Sequence, residues 1–320
     1  MIPRPPLRTT SLSELAILID GSILNDFAAG ADLEITGITH NSRDVRVGDL
    51  YVAVPGETHH GLEFITEAIA MGAVAIASDA QGVAKAASQG IPNLLIPEVR
   101  RDMATLAAHI YGNPHNKLTL VGVTGTNGKT TTTHMLRSIF LDAQKSVGVI
   151  GTLGTFINDE YLPGVRTTPE STDLFALLAV MVEQGVETVF MEVSSHALVL
   201  HRVAGLLFDI AVFTNLTQDH LDFHGDMDSY YLAKASLFTP EHARRAIICV
   251  DDSWGQKLAS TIQIPSLTVG SAGEWSLSEV KYLEPGMTAV ALTTSSSKTD
   301  SVSPVCGTVD HARAAAPRAA

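Results

Sequence analysis

The chain reads as an α/β protein: a small N-terminal α/β unit, then a larger unit built on a doubly wound, mostly parallel sheet. Three observations predict this. Short apolar runs of strand length alternate with segments whose apolar residues recur at helical spacing. One such run, Leu118–Val123, passes through a glycine turn straight into a helix. The cluster Gly112-Asn113-Pro114 interrupts the alternation and marks a boundary between units.

In the first unit, residues 1–115, Leu12, Leu15, Ile17, Leu18 and Ile19 predict a short helix. Leu50–Val54 is a strand that ends at Pro55-Gly56. Phe64, Ile65, Ala68, Ile69 and Met71 form a helical face leading into the strand Ala73–Ala77. Asn93–Ile96 is a further strand, and Met103, Leu106, Ala107 and Ile110 mark a helix. The second unit, residues 116–292, offers strands at Leu118–Val123, Ser146–Ile150, Thr188–Val193, Asp209–Thr214 and Ala246–Val250. Between them lie a helix faced by Met135, Leu136, Ile139, Phe140 and Ala143, and another from Thr172 to Gln184. In such a sheet, ligands bind beyond the carboxyl ends of the strands. Residues 293–320, with TTSSSK and HARAAAPRAA, have the composition of a disordered or aberrant tail.

Composition narrows the function. The chain has 320 residues, 45% hydrophobic and 17% charged, enough for about two cores. Asp and Glu number 34 against 21 Lys and Arg, a net charge of −13. That disfavours non-specific binding to nucleic acid or to anionic membranes. Cys249 sits in the apolar run AIICV and reads as a buried small hydrophobe; with Cys306 it makes no disulfide or zinc pattern. His59, His60, His115 and His224 likewise form no zinc constellation. Arg4 and Arg8 are not followed by an apolar h-region, and no run reaches transmembrane length, so the cytoplasm is the expected compartment.

The chemistry concentrates in Leu118–Thr133, LTLVGVTGTNGKTTTT. Strand, glycine turn, Lys-Thr and helix make a phosphate cradle. Backbone N–H groups and the positive helix end hold phosphate oxygens, Lys129 neutralises charge, and a threonine hydroxyl can bind Mg²⁺. The general pattern G-x-x-x-x-G-K-[ST] would need glycine at 123, where Val123 stands.

This variant, T-G-T-N-G-K-T-T, resembles the ATP loop of the Mur ligases, and folylpolyglutamate and cyanophycin synthetases carry related loops. RTTPE at 166–170, MEVSSHALVLHR at 191–202 and FTNLTQDHLDFHGDMDSYYLAKASLF at 213–238 look like the MurE branch in order and spacing. THNSRDVRVGDLYVAVPGETHHG, Thr39–Gly61, resembles the UDP-sugar-binding domain of that branch and argues against the folate enzymes. The resemblance covers about residues 10 to 290. It implies a UDP-binding domain followed by an incomplete ATPase domain. The implied reaction joins UDP-MurNAc-L-Ala-D-Glu to a diamino acid, most often meso-diaminopimelate, at the expense of ATP and with Mg²⁺, in a monomeric enzyme. A full enzyme of this branch continues from about Ala291 with further sequence, so the chain fits a fragment or a shifted frame. An inactive fragment that binds nucleotide or UDP-precursor, and another Mur-type ligase, stand as alternatives.

The resemblance implies roles residue by residue. Gly125, Thr126, Asn127, Gly128, Lys129, Thr130 and Thr131 cradle ATP, with Lys129 on the β- and γ-phosphates and Thr130 on Mg²⁺. Glu192 and His220 hold a metal; read singly, they would be a solvated strand end and a turn residue. Lys234 is carbamylated in the family and then helps hold Mg²⁺; read singly, it would snorkel to solvent. Thr167, Thr168, Ser194 and Arg202 match substrate-holding positions, and the two threonines are equally candidates for a helix N-cap. Ser42 matches the residue that meets the uridine, with the Gly56–His60 turn beside it; an ordinary surface turn is the alternative. Asn41 replaces the commoner aspartate, Leu200 a common glutamine and Arg166 an asparagine of some members.

Overall fold

A computed structural model of the chain describes residues 2–6, 8–24, 32–56, 59–164, 166–284 and 287–294. Glu57 and Thr58 of the Gly56–His60 turn, Cys306 and the tail from 295 onward lie outside the described residues.

Among the described residues, two large sheets organise the fold. The first has five strands in the spatial order Ser22–Leu24, Asn93–Leu95, Ala75–Ser78, Asp49–Ala53, Gly37–Thr39. All pairs but the first are parallel. The second has ten strands. At its centre, Val147–Gly151, Thr188–Glu192, Thr119–Thr124, Ile210–Phe213, Ala246–Cys249 and Ser266–Val269 run parallel. An antiparallel hairpin, Gly154–Ile157 with Glu160–Leu162, closes one edge, and another, Trp275–Glu284 with Met287–Thr294, extends the other. The α/β class and the parallel core are those expected. Both edge hairpins and Ser266–Val269 add to the expected strands, and the last strand takes up Thr293 and Thr294.

The parallel strands read as apolar runs because helices cover both faces of the sheet. Helix Ser171–Glu183 is buried from Leu174 through Met181. It packs against helix Val99–Ile110, whose Met103, Leu106, Ala107 and Ile110 join the same apolar cluster. One core therefore runs from the first sheet into the second. Each fully buried Leu or Met there contributes about 1.5–3 kcal/mol. No described helix is long and apolar enough to cross a membrane.

Several expected faces turn out rotated. On helix Lys129–Asp142, Leu136, Phe140 and Leu141 pack on Val121, Val147, Val149 and Phe190. Met135 and Ile139 are 52% and 53% exposed instead, and Ala143 is an exposed C-cap. Thr133 is the fully buried residue of this helix. The glycine turn sets the helix's starting direction, so the face Thr133–Leu136–Phe140 meets the sheet. Likewise Ile17 and Leu18 are exposed while Leu12, Leu15 and Ala16 are buried, and Phe64 and Met71 lie outside while Ile65 and Ala68 lie inside. Cys249 is half-buried, its Sγ 3.6 Å from Asp251 Oδ2, and is not the core hydrophobe expected.

The rotated helix makes a direct prediction. Ile139→Gln should change stability by less than about 0.5 kcal/mol, as surface substitutions do. Phe190→Ala, which empties the ring seated edge-on against Phe140 at 5.0 Å, should cost about 3–5 kcal/mol. Urea melts of the two variants check this; equal costs would mean that the helix presents its other face.

Candidate functional site

The strand Thr119–Thr124 delivers the chain to Gly125, where φ is +148°. A Cβ there would overlap Thr214 Oγ1, so the turn needs glycine. Gly128, at φ +87°, is the N-cap of helix Lys129–Asp142. The loop is tied down from the neighbouring strand. Thr126 N donates to Asn215 O at 3.0 Å, Asn127 N to Asn215 Oδ1 at 2.9 Å, and Thr214 Oγ1 to Asn127 O at 2.6 Å. Within the helix, Thr132 N is the first amide with an i−4 acceptor, Gly128 O. The amides of Lys129, Thr130 and Thr131 precede it and have no such acceptor by helix geometry, which makes this end attractive to anions.

An open cleft of about 330 Å³ lies over this helix end, lined by Thr126–Thr131, Thr152, Thr167, Glu192, Ser194 and His220. It brings together the loop and four residues to which the resemblance assigns metal or substrate roles, Thr167, Glu192, Ser194 and His220. Glu192 is not a solvated strand end: it is 0% exposed. Its carboxylate accepts from Thr130 Oγ1 at 2.9 Å, Thr152 N at 2.9 Å and Thr152 Oγ1 at 3.0 Å. A Cβ on Gly151 would overlap Glu192 Oε1, so glycine ends that strand. His220 has φ +52° and a half-exposed ring, with Nε2 3.4 Å from Asp219 Oδ2 and the ring 4.9 Å from His196. Burial, then His220, lower the pKa of His196.

Two lysine amines meet behind the loop. Lys129 Nζ donates to Gly125 O at 2.8 Å and to Thr126 O at 3.0 Å. Lys234 Nζ, from helix Met227–Ala235, donates to the same Gly125 O at 3.0 Å and lies 4.6 Å from the Tyr230 ring centroid. Lys234 is 1% exposed and does not snorkel. Burial, reinforced by the charge of Lys129, pulls its pKa down to about 7. Burial also lowers Lys129, but Glu192 and Asp219 oppose that shift.

The substrate candidates fall into two groups. Thr168 Oγ1 donates to Glu192 O at 2.8 Å and accepts from Ser194 N at 3.1 Å; Thr167 Oγ1 is 3.0 Å from Thr152 Oγ1. Neither threonine caps helix Ser171–Glu183: Glu170 occupies its N-cap. Ser194 does cap the short helix Ser195–Val199. Arg202 Nε donates to Glu170 Oε1 at 2.9 Å, close to Thr168 but outside the cleft lining. Ser42 stands apart in the first unit, buried, its hydroxyl donating to Glu67 Oε2 at 2.6 Å. Asn215 lies in the stretch expected at the carboxyl edge of the sheet, whereas no sequence signal singled out Thr152, Thr214 or Tyr230. Thr152 follows a strand's carboxyl end, where sites are expected, and Tyr230 is four residues before Lys234 on one helix.

Residues 123–309, more than half of the chain, match the Mur ligase middle domain, and residues 34–110 match the Mur ligase family, catalytic domain. The chain belongs to the Mur ligase family. A UDP-N-acetylmuramoyl-L-alanyl-D-glutamate–2,6-diaminopimelate ligase from Streptomyces coelicolor is 48% identical over 284 residues, 87% of this chain and 55% of the relative. One of the same name from Corynebacterium glutamicum is 43% identical over 288 residues, 85% of this chain and 55% of the relative. This Mur ligase chain thus spans about half the length of the curated relatives it matches. A solved structure of a ligase of that name superposes with a TM-score of 0.74 at 26% identity, covering 90% of this chain and 58% of the other. MurF from Acinetobacter baumannii shares the fold, with a TM-score of 0.62 at 20% identity over 91% of this chain and 60% of that one.

The buried amine makes the protein's stability depend on pH in a defined direction. Unfolding returns Lys234 to an ordinary pKa of about 10.4, against about 7 when folded. Above neutral pH the unfolded chain therefore holds a proton that the folded chain has released. Stability from this group is lowest below about pH 7 and rises up to about pH 10. Relative to Lys234→Met, the wild type should gain about 1.4 kcal/mol per pH unit across that window. Urea melts at several pH values measure it, and a difference independent of pH would show that the folded amine keeps its proton.

Proposed function

We propose that this chain carries the nucleotide and precursor sites of an ATP-dependent amide ligase of the MurE type. The substrates would be UDP-MurNAc-L-Ala-D-Glu and a diamino acid, most often meso-diaminopimelate, and the setting the cytoplasmic assembly of cell-wall precursor by a monomeric enzyme. Residues 1–115 would bind the UDP-sugar, with Ser42 near the uridine, and 116–292 would bind ATP. The observation that carries this reading is the convergence of Lys129, Thr130, Glu192 and Lys234 on one glycine turn.

The donor set fits Mg²⁺. Thr130 Oγ1 and a Glu192 oxygen lie 2.9 Å apart at the cleft, both hard oxygen donors. Among the described residues no group of three or more His, Cys, Asp or Glu could hold a metal alone. That suits an ion that takes most of its ligands from phosphate and water. When bound, the metal supplies neutralisation of phosphate charge. Thr130 and Glu192 would hold it, His220 stands at the rim for the same ion, and carbamylated Lys234 would add an anionic oxygen. A pKa of about 7 leaves much of the Lys234 amine neutral at neutral pH, the form that can add to CO₂.

The residues then divide the work. The free amides of the helix end and Lys129 would hold the β- and γ-phosphates in line with the precursor's carboxylate. Thr167, Thr168, Ser194 and Arg202 would hold that precursor. Phosphoryl transfer makes an acyl phosphate, the amine attacks its carbonyl carbon, and phosphate leaves as the amide forms. Positioning and charge neutralisation account for the acceleration.

Two substitutions test the reading. Lys129→Ala should lower ATP affinity roughly 100-fold or more, the loss of a charge-assisted contact, while the melting temperature stays close to wild type. Glu192→Gln should leave nucleotide affinity without metal intact and remove its enhancement by Mg²⁺. Calorimetric titrations with and without Mg²⁺ read both. An unchanged affinity in Lys129→Ala would sink the phosphate cradle; an undiminished Mg²⁺ effect in Glu192→Gln would remove the metal role.

A further inference from the structure

Glu170 is buried outside the cleft lining and has no part in the roles assigned above. Both carboxylate oxygens are engaged by arginine. Oε1 accepts from Arg202 Nε at 2.9 Å, Oε2 from Arg100 Nη1 at 3.0 Å, and Arg166 Nη1 approaches Oε1 at 3.8 Å. Arg100 belongs to helix Val99–Ile110, before the Gly112-Asn113-Pro114 break; Arg202 follows the Ser194 segment. Arg202 Nη1 also donates to Thr168 O at 3.3 Å, and Nη2 has no hydrogen bond among the described residues. Three guanidinium groups thus surround one buried carboxylate, with Asp173 and Asp44 acting on the same cluster.

We propose that Glu170 is a positioning residue for the acidic part of the precursor: it locks Arg202 in place, keeps one guanidinium nitrogen open to a carboxylate, and couples that orientation to Arg100 of the first unit. The proposal rests on the reading of Arg202 as a precursor contact. A flexible arginine loses rotamer entropy each time it binds an anion. An arginine already held at Nε and Nη1 has lost it on folding, and a charge-assisted bond such as that to Glu170 is among the strong ones. Because Glu170 also starts the buried helix Ser171–Glu183 and grips Arg100, a shift between the two sheets would move Arg202 with it.

Two measurements on the full chain test this. The first is the ¹⁵N–¹H signal of Arg202 Nε, assigned by its loss in Arg202→Lys. In the wild type it should be shifted and slow to exchange with water; in Glu170→Gln it should collapse to the position of exposed arginines. The second is calorimetric affinity for UDP-MurNAc-L-Ala-D-Glu. It should fall roughly tenfold in Glu170→Gln, fall less in Glu170→Asp, which keeps the charge, and leave ATP affinity unmoved in both. If Glu170→Gln does not fold, Glu170→Asp carries both measurements. An Arg202 signal unmoved by the substitution overturns the proposal, as does full precursor affinity in Glu170→Gln when Arg202→Ala has lost it. Should Arg202→Ala itself bind the precursor normally, the reading of Arg202 fails instead, and the Nε signal still decides whether Glu170 positions it.

Discussion

The carbonyl of Gly125 accepts hydrogen bonds from two lysine amines, and the rest of the site is arranged around that crowding. The bonds of 2.8 and 3.0 Å keep the two nitrogens within about 6 Å of each other. At an effective dielectric constant of about 20, two full charges that close repel by about 3 kcal/mol. Burial adds a larger cost for the enclosed amine. One of the two must give up its proton readily, and the surroundings choose which. Lys129 faces Glu192 and Asp219, which favour its charge; Lys234 has Asp219 alone against burial and Lys129.

This crowding is possible because the fold brings three strand ends to one place. Gly125 follows the central strand, Glu192 ends its neighbour on one side, and Thr214 follows its neighbour on the other. The register of a parallel sheet fixes those ends relative to one another: Glu192 pairs with Val123, and Phe213 with Thr124. Side chains after the strands then interlock, Thr214 and Asn215 on the loop and Thr152 on Glu192. The polar cleft is thus built on apolar strands whose burial holds the loop in a conformation with a glycine at φ +148°.

Much of this was legible in the sequence, for physical reasons that can be named. Parallel strands are buried on both sides, so Leu118–Val123 or Thr188–Val193 show as plain apolar runs, and observed and expected bounds differ by a residue or so. The glycine turn before Lys-Thr left little freedom either. The edge hairpins were missed because edge strands such as Glu160–Leu162 are half exposed and carry polar residues. Helix faces differ from expectation where the helix has more apolar residues than its buried stripe can take, as with Met135 and Ile139. The long-range partnerships were invisible: nothing local in RTTPE says that its glutamate gathers Arg100, 70 residues earlier, and Arg202, 32 later.

The burial of Lys234 needs support from its own helix, and the structure supplies it in layers. Tyr230 places its ring against the amine while its hydroxyl lies 3.3 Å from Thr126 Oγ1, so the same side chain touches the loop and the lysine. On the next residue, Tyr231 packs against Trp254 at 5.2 Å, and Lys257 caps both rings from 4.5 and 4.8 Å while pairing with Asp228 at 3.0 Å. That clamp pins helix Met227–Ala235 to helix Ser253–Thr261. A face of an aromatic ring favours a cation, by about 2 kcal/mol when desolvated, and so opposes the loss of the Lys234 proton. Burial and then Lys129 pull the amine down to about 7, and Asp219 opposes them. An amine poised there can exist in both forms near neutral pH.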